Sequence, residues 1–134
     1  MQENNTTSVR VQEMQPLVLA MIGDSVQTLF VRKHVAMVYG VKVNKMNKYV
    51  SSVVSAGSQF KTFKKIEETL SQEEQDIARR ARNTHIHSKS KNFSITEYIY
   101  ATALEAVIGY LHLTGQEERL NQILTLSLEE MKVE

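Results

Sequence analysis

Two carboxylates in this chain stand where a solvated charge fits badly. Asp24 lies inside the largely apolar stretch 17–30, broken mainly by Gly23, Ser25, Gln27 and Thr28. Glu105 sits between Leu104 and Ala106 and is the only Asp, Glu, Lys or Arg between Glu97 and Glu117. A buried, unpaired carboxylate costs several kcal/mol or takes up a proton. Two such acids meeting at one point would form an oxygen-ligand site for a hard cation, which offsets that cost. A glycine accompanies each acid: Gly23 directly before Asp24, and Gly109 one turn beyond Glu105. Glycine inside a helix costs about 1 kcal/mol relative to alanine, a cost that close packing of two backbones can justify. The pattern predicts two helices in contact, each offering one carboxylate to a common point. Plainer readings stand beside it. Asp24 could be a local cap or an exposed acid on a polar face, and Glu105 could be ion-paired with a lysine or arginine.

The elements that must carry these residues are helices. One proline and five glycines leave few breaks in 134 residues. Pro16 suits a helix start, because a first-turn residue needs no amide donor. Leu17, Val18, Met21, Ile22, Val26, Leu29, Phe30 and Val38 then recur at helical spacing, and Gly40 suits a left-handed cap, so a helix is expected over 16–39. Asn44 reads as the next cap, ahead of Met46, Tyr49, Val50, Val53 and Val54. Ser55-Ala56-Gly57 reads as a bend before a helical face of Phe60, Phe63, Ile66 and Leu70. Ser71 with Glu74, and Ser94 with Glu97, form capping-box patterns that open helices ending near Arg82 and Leu113. Residues 83–94 are the one obvious loop. Leu120, Ile123, Leu124, Leu128 and Met131 mark a final amphipathic helix. The expected fold is all-α, a single domain over 14–134 preceded by a flexible arm over 1–13.

Composition narrows the chemistry. The length fits one domain with a real core. The absence of cysteine excludes disulfides and thiolate metal sites, so a metal must be held by oxygen or imidazole. No apolar run approaches the roughly 18–20 residues of a membrane span, and the polar start lacks the apolar middle of a secretory signal, so the expected location is cytoplasmic. The net charge of +1 conceals segregation. Arg32, Lys33, Lys42, Lys45, Lys48, Lys61, Lys64 and Lys65 occupy a stretch with no acid between Asp24 and Glu67. Arg79, Arg80, Arg82, Lys89 and Lys91 occupy another between Asp76 and Glu97. Segregated charge points to a polyanion; the alternative is that the lysines merely solvate helices.

Two segments resemble the signatures of the ribonuclease III family. IGDSVQTLF, 22–30, is similar to the aspartate-bearing helix, and ATALEAVIGYL, 101–111, to the glutamate-bearing one. VNKMNKYVSSVVSAGSQ, RRARN and YLHLTGQEERL are similar to further segments of the Mini-III subgroup, which is the bare catalytic domain. The resemblance spans roughly residues 14–130. Full-length family members carry additional acids where this chain has Leu17, Ala20 and Thr102, and Ile99, Tyr100 and Ala101 replace a more polar run. The subgroup likewise lacks most of these acids.

The resemblance implies a ribonuclease III-like endonuclease domain of about six to seven helices, dimeric, with one site per subunit. It implies hydrolysis of double-stranded RNA to 5′-phosphate and 3′-hydroxyl ends, with Asp24 and Glu105 as catalytic residues holding Mg²⁺ (Mn²⁺ as a substitute). It also implies maturation of precursor 23S, large-subunit ribosomal RNA, with ribosomal proteins as further partners. Candidate phosphate contacts are Lys42, Lys45, Lys48, Arg79, Arg80, Arg82, Lys89 and Lys91. His85 and His87 read as loop or RNA-contact residues, not general bases. Tyr39, Tyr49, Tyr98 and Tyr110 read as packing residues. The competing reading is a catalytically inactive RNA-binding or ribosome-assembly scaffold on the same fold.

Overall fold

A computed structural model describes residues 9–84 and 94–133, and among them every regular element is helical. Six α-helices follow in order: α1 Pro16–Val38, α2 Val43–Val54, α3 Ala56–Ile66, α4 Gln72–Asn83, α5 Ser94–Leu113 and α6 Glu117–Ser127. Single 3₁₀ turns at Val11–Glu13, Glu67–Thr69 and Leu128–Glu130 complete it. None of the helices is long and apolar enough to cross a membrane among the described residues.

Helix α5 is the axis of the molecule. Ala101, Ala103, Leu104, Ala106, Val107, Ile108, Tyr110 and Leu111 are all buried, so it is covered on nearly every side, as expected for a helix apolar all round. Helices α1, α3 and α4 pack around it, and α6 closes one end. A second, smaller core joins Val31 and Val35 of α1 to Tyr49, Val50 and Val53 of α2, with Leu128 and Met131 beside them. The β-branched run at 50–54 is therefore helix, stabilised by burial of one face.

Local chemistry sets the boundaries. Pro16 opens α1, which runs unbroken for 23 residues, and Gly40 follows with φ of +59°. The N-cap of α2 is Lys42, two residues before the expected cap Asn44, which falls within the first turn. Ser55 serves two helices at once. Its amide donates to Ser51 at the end of α2, and its hydroxyl accepts from the Ser58 amide at the start of α3. The Ser71–Glu74 box is complete: the Ser71 amide donates to Glu74 Oε1 and the Glu74 amide to Ser71 Oγ, both at 3.1 Å. The same Glu74 carboxylate, 3% exposed, accepts from Arg119 Nε at 3.1 Å and Nη2 at 3.0 Å. That pair ties the start of α4 to α6. The Ser94 cap rests on a side chain outside those described, as does the 85–93 part of the predicted loop.

The segment before α1 is docked on the fold from Val11 onward. Val11 and Met14 pack against the main core, and Arg80 donates to the Gln12 and Met14 carbonyls at 2.8 and 2.9 Å.

Candidate metal centre

The site is built by the crossing of α1 and α5. A Cβ placed on Gly23 would lie 1.8 Å from the Glu105 carbonyl oxygen and 2.9 Å from the Gly109 amide nitrogen. A Cβ on Gly109 would lie 2.0 Å from the Leu19 carbonyl oxygen. No side chain fits at either point, because the obstacles are main-chain atoms. The two glycines thus let the helices approach backbone to backbone, as their placement beside the acids predicted. Asp24 follows one glycine, and Glu105 lies four residues before the other, so the crossing brings their carboxylates together.

Their environments differ. Asp24 is exposed, which matches one of the plainer readings, yet its side chain faces Glu105 closely enough for a hydrogen bond between them. Glu105 is half-buried, and its pKa is pushed up to about 7, first by loss of solvent and then by the neighbouring Asp24 charge. Gln59 opposes the shift by donating a hydrogen bond. No lysine or arginine pairs with Glu105 among the described residues. Two like charges held together, one of them poorly solvated, suit a divalent cation that relieves both effects. No cluster of three or more His, Cys, Asp or Glu able to hold a metal occurs among the described residues.

Behind Glu105 lies a polar pair that the sequence did not single out. Gln59 Nε2 donates to Glu105 Oε2 at 3.1 Å and to Gln27 Oε1 at 2.8 Å. Gln27 is fully buried and Gln59 is 4% exposed. The signal for Gln27 was present: Leu19, Gly23, Gln27, Val31 and Val35 recur every fourth residue and are all buried. Read as a stripe, that spacing puts Gln27 on the inward face beside Gly23. Of the three positions where full-length family members carry further acids, Leu17 is exposed, while Ala20 and Thr102 are buried, and the Thr102 hydroxyl donates to the Tyr98 carbonyl at 3.0 Å.

The basic candidates fall into three groups. Lys42, Lys45 and Lys48 are exposed on α2 with no ion pair among the described residues. Helix α2 packs on Val31 and Val35, roughly 10–17 Å along α1 from Asp24 at 1.5 Å per residue. Arg79 and Arg80 are engaged with Asp76, and Arg80 also holds the 12–14 segment. Arg82 lies over the Tyr100 ring at 5.5 Å, and Lys64 lies 5.1 Å from the same ring centroid. Lys89, Lys91, His85 and His87 lie outside the described residues. Among the tyrosines, Tyr49 and Tyr110 are buried, while Tyr39 and Tyr98 are exposed. Tyr39 still meets Tyr49 edge-on, with ring centroids 5.3 Å apart.

An apolar strip flanks the site. Leu17, Val18, Met21 and Leu29 of α1 are between 48% and 73% exposed, on the side of the helix that carries Asp24 and Ser25. The apolar surroundings of Asp24 in the sequence are therefore partly surface, which explains why this acid is not buried.

Comparison with known proteins agrees with this geometry. A Ribonuclease III domain model matches residues 17–116, a span that includes both acid-bearing helices. The Mini-ribonuclease 3 of Thermoanaerobacter sp. is 41% identical over 123 residues, covering 92% of this chain and 87% of that protein. The Mini-ribonuclease 3 of Staphylococcus aureus is 37% identical, covering 90% and 92%. A crystal structure of a Fusobacterium nucleatum protein superposes with a TM-score of 0.79 at 34% identity, over 91% of this chain and 98% of that one. Matches of this extent, in sequence and in fold, leave one assignment: this chain belongs to the ribonuclease III family, alongside the Mini-ribonuclease 3 proteins.

Proposed function

We propose that this protein is a metal-dependent endoribonuclease that cuts double-stranded RNA to 5′-phosphate and 3′-hydroxyl ends. The observation that carries the reading is the placement of Asp24 and Glu105 on two helices locked together at their glycines. Both carboxylates would hold Mg²⁺, with Mn²⁺ as a substitute. When bound, the cation supplies Lewis acidity, offsetting charge on the phosphate and lowering the pKa of a water. The chain's own task is electrostatic and geometric: to keep two acids converged on one point at the protein surface. No protein nucleophile is required.

Duplex RNA is recognised by shape, phosphates and 2′-hydroxyls. The exposed lysines of α2 suit phosphate contact, and Arg79, Arg82, Lys89 and Lys91 extend the same role. The exposed apolar strip of α1 supports a homodimer, because a two-fold contact pairs one such strip with its copy. Two sites placed by that symmetry would cut both strands. The substrate is the precursor of 23S ribosomal RNA, the location is the cytoplasm, and ribosomal proteins are further partners.

The test is incubation of the protein with a perfect RNA duplex and Mg²⁺, beside Asp24→Asn, Glu105→Gln and an EDTA control. Cleavage by the wild type that is lost in all three establishes the nuclease. Duplex binding without cleavage, on precursor ribosomal RNA as well, establishes instead a scaffold, the reading that buried Ala20 and Thr102 would then explain.

A further inference from the structure

Gln59 reaches into the site from α3, and its two amide hydrogens are fully assigned. One goes to Glu105 Oε2 at 3.1 Å and the other to Gln27 Oε1 at 2.8 Å. The orientation follows from chemistry. In its ionised form, the one that would hold a cation, the Glu105 carboxylate only accepts, so for that form the Gln59 amide turns its nitrogen, not its oxygen, towards Glu105. Turned the other way, Gln59 Oε1 would face the Glu105 carboxylate and the Gln27 oxygen together. Gln27 is turned to suit. It presents its oxygen to Gln59 and leaves its own Nε2 buried without a hydrogen-bond partner. A buried unsatisfied donor is costly, and exceptions of this kind call for an explanation. Reversing Gln27 would place two amide nitrogens against each other and break the hold on Gln59. The orphan donor is thus the cost of a fixed orientation one residue removed from the site.

On these grounds we propose that Gln59 is a positioning residue for Glu105, locked in place by Gln27. Gln59 holds Oε2 of Glu105 and so fixes the carboxylate plane and the rotamer, leaving the other oxygen unclaimed by Gln59 and open to a cation. The proposal rests on the metal-dependent reading above and concerns the chain's own residues, not the ion. Groups that orient a ligand in this way typically change metal affinity or activity by roughly 10- to 100-fold when removed.

The experiment measures Mn²⁺ binding to the full chain by titration calorimetry and by the resonance signal of free Mn²⁺. It uses wild type, Gln59→Leu and the double variant Gln27→Leu/Gln59→Leu. The double variant removes both buried amides, so it folds even where the single variant, which strands Gln27 Oε1, does not. Both leucine variants are expected to bind Mn²⁺ roughly 10- to 100-fold more weakly. With Mn²⁺ saturating, cleavage of duplex RNA should show a lower kcat and an unchanged KM, a split that a purely structural role of Gln59 would not produce. Wild-type Mn²⁺ affinity in the folded double variant overturns the assignment alone. A wild-type chain that has no Mn²⁺ site overturns both the assignment and the reading beneath it.

Discussion

Removing the charge of Glu105 should make the metal-free protein more stable while abolishing its activity. The pKa of this carboxyl lies at about 7 in the fold, against 4.5 for an unperturbed glutamate. Between those values the folded chain binds a proton that the unfolded chain has released. Stability therefore falls as pH rises through that window, since it follows the difference in protons bound by the two states. A shift of this size corresponds to roughly 3 kcal/mol once the pH is well above 7. Glu105→Gln keeps a carbonyl oxygen for Gln59 but carries no charge to desolvate and none to repel Asp24. We expect the variant to be more stable than wild type by roughly 2–3 kcal/mol at about pH 8, with the difference shrinking towards zero near pH 5. The assay is urea unfolding followed by far-ultraviolet circular dichroism, in EDTA. Protein concentration is held fixed, because the stability of an associating chain depends on it. A variant less stable than wild type at pH 8, or a difference that does not change with pH, refutes the account of Glu105 as a strained charge. The same substitution should abolish duplex cleavage, so stability and activity move in opposite directions.

Further outcomes follow from the same structure. Asp24→Asn removes the second cause of the Glu105 shift, so the Glu105 carboxyl resonance should titrate below pH 7 by carbon-13 NMR. Gly109→Ala drives a methyl group into the Leu19 carbonyl. Overpacking of side chains costs about 1–3 kcal/mol, and an immovable main-chain obstacle should exceed that, read as a fall in urea midpoint together with loss of cleavage. Arg119→Leu strands the buried Glu74 carboxylate and should cost about 3 kcal/mol by the same unfolding assay, with the metal site unaffected. Changing Lys42, Lys45 and Lys48 together to alanine should lower the salt dependence of duplex binding, with the slope of log affinity on log salt falling by roughly 0.9 for each phosphate that the variant leaves unneutralised.

Much of the frame was legible because it rests on local rules. Pro16, Gly40 and the Ser71–Glu74 box mark helix ends by backbone chemistry alone, and each does so in the fold, whereas of the expected Ser55-Ala56-Gly57 bend only Ser55 lies between helices, α3 already including Ala56 and Gly57. The glycines beside the two acids read correctly as a close crossing, since few other reasons keep glycine inside an apolar helix. What was illegible depends on which side of a helix faces inward. Leu17, Val18, Met21 and Leu29 look like core in sequence but are surface in the single chain, so Asp24 reads as more buried than it is. Asn44 has the better capping side chain, yet the chain enters the helix at Val43, which leaves Asn44 inside the first turn. The Gln27–Gln59–Glu105 chain joins residues 32 and 46 positions apart, and no sequence spacing encodes a hydrogen bond of that reach.

The close approach at Gly23 and Gly109 also acts as a gauge. The distance between the backbones of α1 and α5 is fixed by atoms that cannot be substituted, so the span between the two acids can be adjusted only by side-chain length. Position 24 carries the shorter acid and position 105 the longer one, and one methylene more or less at either has no compensating slack in the main chain. Aspartate and glutamate are therefore not interchangeable across this crossing. A lineage that altered the spacing of this carboxylate pair would have to do so by exchanging the acids themselves, leaving both glycines where they are.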